Sequence, residues 1–358
     1  MTSQPNQPTG SGPTGGDVDW VPLYLVSLML VALLLVVAAV GQVEDDGPRR
    51  HRGDRGHLDR HHHGGAAPAL PRTGPTSPTS PTGKPAPRRE PALPAYPSDL
   101  PGGRTAIFAG RTVLVAYYGT AGTGSLGVLG EAGPERIVPR LIRAAQPFAA
   151  GGRTVQPVFE LIVTVAHAGP TKTGAYSSDI ARTLVQQYIE AAHRHGALVV
   201  LDLQPGRADF LDVAKRWEWA LRDPWVGLAL DPEWRMGPHG VPGRRIGSVS
   251  AAEINRTSRW LDDLTIRNGL PQKLFVLHQF RTDMIRHLDR VASRPALAMV
   301  QHVDGYGPPR AKLATFHAVA RPSVFTLGFK LFYDEDKPRM TPARVLRIRP
   351  AVRFVSFQ

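Results

Sequence analysis

Residues 228–236 read LALDPEWRM, an apolar run that stops at two carboxylates one residue apart, Asp231 and Glu233, with Trp234 directly behind. Two carboxyls this close on one face do not ionise independently, because each charge makes the other costlier. One then keeps its proton near neutral pH and can donate it, while a partner stabilises the charge that develops. Cleavage of a glycosidic bond needs that division of labour. Large aromatic faces with a polar handle suit sugar rings, and the carboxamides Gln279 and Gln301 could read hydroxyls.

Whether the pair does chemistry depends on what positions it. Short β-branched runs recur at 112–118, 157–165, 197–203, 226–230, 273–279, 297–303, 324–332 and 352–357. They are apolar on both parities, as parallel strands covered on both faces must be. Helical patterns separate them. Residues 178–195 put Ile180, Leu184, Tyr188 and Ala191 on one face ahead of Gly196, a C-terminal stop. Residues 209–222 align Phe210, Val213, Trp217 and Leu221, Ser250 with Glu253 spells a capping box, and Thr341-Pro342 marks a helix start. Eight alternations predict an α/β fold, a single (β/α)8 barrel of the TIM type over residues 105–358. GTAGTG at 119–124 lacks the spacing of a dinucleotide-binding turn, which argues against an open doubly wound sheet.

In that architecture the strands' C-terminal ends carry the active site. If Asp231 and Glu233 point inward on the fourth strand, so do the small residues Gly227 and Ala229, and Leu228 and Leu230 face the helices. Polar groups also gather where other strands stop: Tyr117 and Tyr118, Asp202, His278 and Gln279, Gln301, His302 and Asp304, and Lys330, Tyr333 and Asp334, with Glu160 deeper on the second strand. On this reading Glu233 is the acid and Asp231 its partner. Asp202 and Asp334 compete for the second catalytic carboxylate. Tyr117, Tyr118, Trp234, Gln279, Gln301, Asp304, Lys330 and Tyr333 line the substrate.

The Asp231-Pro232-Glu233 motif resembles that of glycoside-hydrolase barrels, in particular the chitinase-type and muramidase-type families, which place Asp-x-Glu at the end of strand four with Glu as proton donor. The resemblance implies a hydrolase and an acid role for Glu233. Chitinase-type enzymes carry further aspartates where this chain has Val226 and Ala229, and muramidase-type enzymes a first-strand aspartate where it has Ala116, Tyr117 and Tyr118. The usage of Ala, Gly, Pro and Arg also resembles a group of actinobacterial membrane-anchored proteins.

Two other readings stay open. The barrel could bind glycans or a protein without catalysis, in which case Lys330 or an arginine should neutralise Glu233. A lysine aldolase or lyase would need Lys330 desolvated and remote from carboxylates. His278, His302 and Asp304 could hold a divalent ion, but no HxH or HExxH spacing supports one, so neither a metal nor a cofactor is expected. His193-Arg194-His195 reads as exposed charge at a helix C-terminus.

The first hundred residues differ in kind. Residues 1–20 are a Gly-, Pro- and Thr-rich tail, and Val21 to Val40 is a charge-free apolar run, read as a single-pass transmembrane helix over 21–41. Residues 42–104 form a Pro-, Gly-, Arg- and His-rich linker. Arginines after the span favour a cytoplasmic barrel, whereas Glu44, Asp45 and Asp46 and the Pro/Thr/Ser tract favour an extracytoplasmic one, which is the expectation. The formal net charge is +13, and residues 1–104 hold ten Lys and Arg against nine Asp and Glu, so the excess lies in the barrel. These cations are scattered and match no nucleic-acid motif, so the expected partner is carbohydrate, with no nucleic acid and a monomeric chain. No cysteine is present, which excludes disulfide, thiolate and lipidated-cysteine chemistry.

Overall fold

A computed structural model describes residues 99–358. The tail over 1–20, the span over 21–41 and the linker up to residue 98 lie outside the described residues. Among those described, no helix is long and apolar enough to cross a membrane.

Eight parallel strands close on themselves: β1 (Val113–Thr120), β2 (Val155–Ala166), β3 (Leu198–Leu203), β4 (Val226–Leu230), β5 (Lys273–Gln279), β6 (Leu297–Val303), β7 (Thr326–Leu331) and β8 (Val352–Phe357). Each pairs with its neighbours in chain order, and β1 pairs with both β2 and β8, so the barrel has no open edge. Four strands match the expected ranges end to end, and the others shift by at most two residues.

The outer layer holds α1 (Pro134–Ala145), α2 (Arg182–His195), α3 (Phe210–Arg216), α4 (Glu218–Leu221), α5 (Ala251–Arg267), α6 (Pro309–Val319) and α7 (Pro342–Val345). Gly196 ends α2 in the left-handed conformation, and Thr341 caps α7 through Arg344 N–H. Several expectations need correcting. Helix α2 starts four residues late, because Ser177–Asp179 is drawn into an antiparallel ladder on β2. The 209–222 helix breaks at Trp217, which is buried with its indole N–H on Thr164 Oγ1 at 3.0 Å. Ser250 accepts from Glu253 N–H, but the Glu253 carboxylate turns away to Phe210 N–H and Arg235, so the capping box is half formed. Between β5 and β6 no α-helix forms, only the short 3-10 turns Thr282–Met284 and Leu288–Arg290. Met284, Leu288 and Val291 have helical spacing, yet Ile285–Arg286 pairs with Val249–Ser250 and His287 sits in the left-handed region.

The folded part also begins earlier than residue 105. Leu100 and Ile107 are buried against Leu114, Leu198 and Leu274, closing the barrel's N-terminal end. Trp225 donates to Asp99 O at 2.6 Å, and Arg104 bonds the Gln156 carboxamide.

Strand alternation sorts the side chains as the β4 register requires. Leu228 and Leu230 belong to the core shared with the helices, whereas Ala229 joins an interior cluster with Ala116, Val158, Val200, Val276, Val300 and Phe354. Gly328 on β7 supplies the remaining member of that level. The interior is tight at β4: a Cβ on Gly227 would stand 2.4 Å from Leu274 O. Gly227→Ala should therefore lower stability by about 1–3 kcal/mol in denaturant unfolding. Gly237→Ala, with no heavy atom within 4 Å of its Cβ, should stay within about 0.5 kcal/mol. Equal effects would refute crowding as the cause.

Candidate active site in the barrel interior

Two residues beyond that apolar level, all eight strands turn polar at once. The inward side chains are Tyr118, Glu160, Asp202, Asp231, His278, His302, Lys330 and Ser356, each at most 3% exposed. Glu233 and Asp304 stand just above, at 8% and 7%. The sequence places polar groups here because strand side chains alternate and the C-terminal end of each strand faces the mouth.

His278 is the hub. Its Nδ1 bonds Asp304 Oδ2 at 2.9 Å, and its Nε2 lies 3.2 Å from Glu160 Oε1 and 3.9 Å from Asp202 Oδ1. The Glu160 contact is short but poorly aimed, so Nε2 and both Glu160 oxygens lack a hydrogen-bond partner. Tyr118 donates to Asp202 Oδ2 at 2.9 Å. His302 Nε2 meets Ser356 Oγ at 2.7 Å, while His302 Nδ1 has no partner. Lys330 holds its Nζ 3.5 Å from the centre of the Tyr118 ring, 3.7 Å from Asp304 and 3.2 Å from Gln358 Oε1.

Asp231 accepts from Glu233 N–H at 3.2 Å and so caps the turn Pro232–Trp234. That turn swings the Glu233 carboxyl over the interior, with Oε1 unpartnered. Burial raises both carboxyls: Asp231 rises to about 8, and Glu233 well above the carboxylate range, with Asp231 and Asp304 adding to the effect. Asp202 rises to about 6 by burial, held back by His278. Asp304 moves the other way, because its bond to His278 and the nearby Lys330 outweigh burial. Burial and Lys330 oppose a charge on His278, but Asp304 and Glu160 prevail and raise it; burial keeps His302 low. At neutral pH the mouth thus presents protonated Glu233 beside ionised Asp304.

The structure brings together Tyr118, Asp202, Asp231, Glu233, Asp304 and Lys330. Trp234 is partly exposed in the turn beside them. The other expected site residues lie elsewhere. Tyr117 faces the helix layer, its hydroxyl on Arg140 O at 3.2 Å, and Tyr333 stacks on Phe357 with centroids 5.5 Å apart. Gln301 donates to Gln279 Oε1 and to Val319 O, which fastens strand to helix rather than reading a ligand. Asp334 is exposed after β7, while Asp336 turns inward to Lys312, Gly307 N–H and Phe332 N–H. Each of these is a side chain of the opposite strand parity, or one past the strand end. The His193 tract is also not free charge: His193 bonds Asp223 at 2.8 Å and stacks on Trp225, and Arg194 and His195 both hold Glu135. Ser356, Glu160 and His302 were the functional candidates that strand-end inspection undervalued. Counting forward by two from the inward apolar residues Val158, Val300 and Phe354 finds all three.

The fold and site define a closed eight-stranded parallel α/β barrel with a buried, acid-rich polar layer at its C-terminal face. No family model matches the chain, and none of the curated proteins matches it in sequence. Neither the glycoside-hydrolase nor the actinobacterial resemblance gains support from relatives.

A pH dependence follows from Asp231, which faces Asp202, His278, Asp304 and Lys330. Its folded pKa lies above its unfolded value near 4, so the native state holds an extra proton between about pH 4 and 8. The stability contributed by the protonated form is complete below pH 4 and declines as pH rises through about 8. Asp231→Asn should flatten that decline, so the gap in melting temperature between variant and wild type should widen in the variant's favour from pH 5 to pH 9. A constant gap across that range would remove Asp231 as the titrating group.

Proposed function

We propose that the barrel is a hydrolase of glycosidic bonds in a cell-envelope polysaccharide, with Glu233 as general acid. The observation that carries this reading is the state of Glu233: a buried carboxyl at the mouth, without an arginine or lysine partner among the described residues, whose pKa burial raises well above the carboxylate range. A buried acid of raised pKa is what protonation of a leaving oxygen needs near neutrality. Asp304, ionised beside it, is better suited than Asp202 to stabilise an oxocarbenium-like centre, since Asp202 is committed to Tyr118 and sits deeper. Trp234, and Tyr306 near Glu233, offer aromatic faces for sugar rings. Anchoring through residues 21–41 with the barrel outside the membrane would bring it to such a polymer, and the positive net charge favours an anionic one.

A non-catalytic glycan-binding barrel is the second reading. The pairing of Lys330 with Asp304 favours it, because it partly neutralises a mouth carboxylate. The lysine-aldolase reading is dropped: Lys330 is desolvated but lies 3.7 Å from Asp304, not remote from carboxylates.

The purified full-length protein should release reducing ends from one or more of a panel of cell-wall polysaccharides. Glu233→Gln, which keeps the shape but cannot supply the acid's proton, should lose about 10²–10⁴-fold in kcat. Wild-type activity should fall on the alkaline side, as Glu233 gives up its proton. Glycan binding by both forms with turnover by neither would leave the binding protein.

A further inference from the structure

We propose that Glu160, His278 and His302 form a site for one divalent transition-metal ion of the zinc class. A carboxylate oxygen of Glu160 and one ring nitrogen from each histidine lie within 4.8 Å of one another, and all three residues are completely buried. Ligand atoms around a common ion at 2.0–2.2 Å are roughly 3–4 Å apart. The 3.2 Å between His278 Nε2 and Glu160 Oε1 already meets that spacing. Drawing in the third ligand takes a side-chain shift on the order of 1 Å.

The bonding around the cluster points to a ligand and not to a satisfied polar core. Buried polar atoms are nearly always hydrogen-bonded, yet Glu160 Oε1 and Oε2, His278 Nε2 and His302 Nδ1 all lack partners in one small volume. Each histidine is meanwhile secured through its other nitrogen: His278 Nδ1 by Asp304 and His302 Nε2 by Ser356. An imidazole oriented by an outer carboxylate or hydroxyl, with its far nitrogen open, is the arrangement of metal-ligating histidines. Room is kept as well. A Cβ on Gly328 would stand 2.2 Å from His302 Nδ1, so any other residue there would crowd that nitrogen.

Charge supports the assignment. Carboxylate oxygens of Glu160, Asp202 and Asp304 all lie within 4 Å of the His278 ring nitrogens, a setting that favours a cation among them. Asp202 Oδ1, unpartnered and 3.9 Å from His278 Nε2, is placed to become a fourth ligand. Two imidazoles with one or two carboxylates suit Zn²⁺, Co²⁺ or Fe²⁺ better than Mg²⁺ or Ca²⁺, which take oxygen ligands. This site is independent of the glycosidase reading, and its test reads binding, not turnover.

Full-length protein stripped with a chelator should take up one equivalent of Zn²⁺ in calorimetric titration. Zinc-edge X-ray absorption on the wild type should show two imidazole ligands, which needs no variant to fold. Glu160→Gln and His302→Gln should each weaken Zn²⁺ affinity at least 100-fold. Ser356→Ala, which leaves all ligands in place, should cost about 10–100-fold. Absence of stoichiometric uptake would overturn the proposal. So would uptake that survives Glu160→Gln and His302→Gln but is lost on replacing His61, His62 and His63, three consecutive histidines of the linker that could bind a metal loosely.

Discussion

The burial of His278 between carboxylates is the constraint on which the rest of this barrel turns. An imidazole with Asp304 at 2.9 Å on one side and Glu160 at 3.2 Å on the other is drawn toward its charged form in spite of its burial. Removing such groups from water costs several kcal/mol each unless partners replace the solvent. The layer is therefore a network whose members depend on one another. Tyr118 satisfies Asp202, Ser356 orients His302, and Lys330 adds a second cation to Asp304 while packing on the Tyr118 ring.

The scaffold is shaped around that level. Below it the strands contribute Ala116, Val158, Val200, Ala229, Val276, Val300, Gly328 and Phe354, small or branched except at β8, where Phe354 fills the axis. Lower still, the segment from Asp99 closes the open end with Leu100 and Ile107, and a buried lysine, Lys273, is satisfied by the carbonyls of Asp223 and Val226. Water is thus kept from beneath, and the polar layer meets solvent only at the mouth. Loss of the helix between β5 and β6 does not open the wall, because closure depends on strand pairing and not on a full set of helices.

How much of this was legible in the sequence follows from what periodicity encodes. The barrel was, since eight apolar runs with helical intervals leave few topologies. The inward face of β4 was, because Gly227 and Ala229 only suit the interior. Tyr117, Gln279, Gln301 and Tyr333 were misplaced for a simple reason: polarity at a strand end was taken as sufficient, whereas parity decides. With His278 inward, Gln279 must face outward, and the same holds for His302 and Gln301. The cluster of Glu160, His278 and His302 had no local motif to betray it. Its members are 118 and 24 residues apart in sequence and meet only because β2 faces β5 and β6 across a closed barrel. The missing helix was not legible either, as Met284, Leu288 and Val291 have helical spacing that a strand pairing and one left-handed residue override.

The two levels of the site are not separate devices. Asp304 belongs to the mouth by position, yet its charge is maintained from below by His278, and His278 is held in turn by Glu160. Glu233 keeps its proton partly because Asp304 does not. A chain of couplings therefore runs from the deepest carboxylate to the candidate acid through a single imidazole. Any cation seated on Glu160 and His278 would place positive charge at Nε2 and leave the Nδ1 bond to Asp304 intact. The mouth would keep its electrostatic asymmetry with that cation in place, which is why one polar layer can serve both acid chemistry above and ion binding beneath.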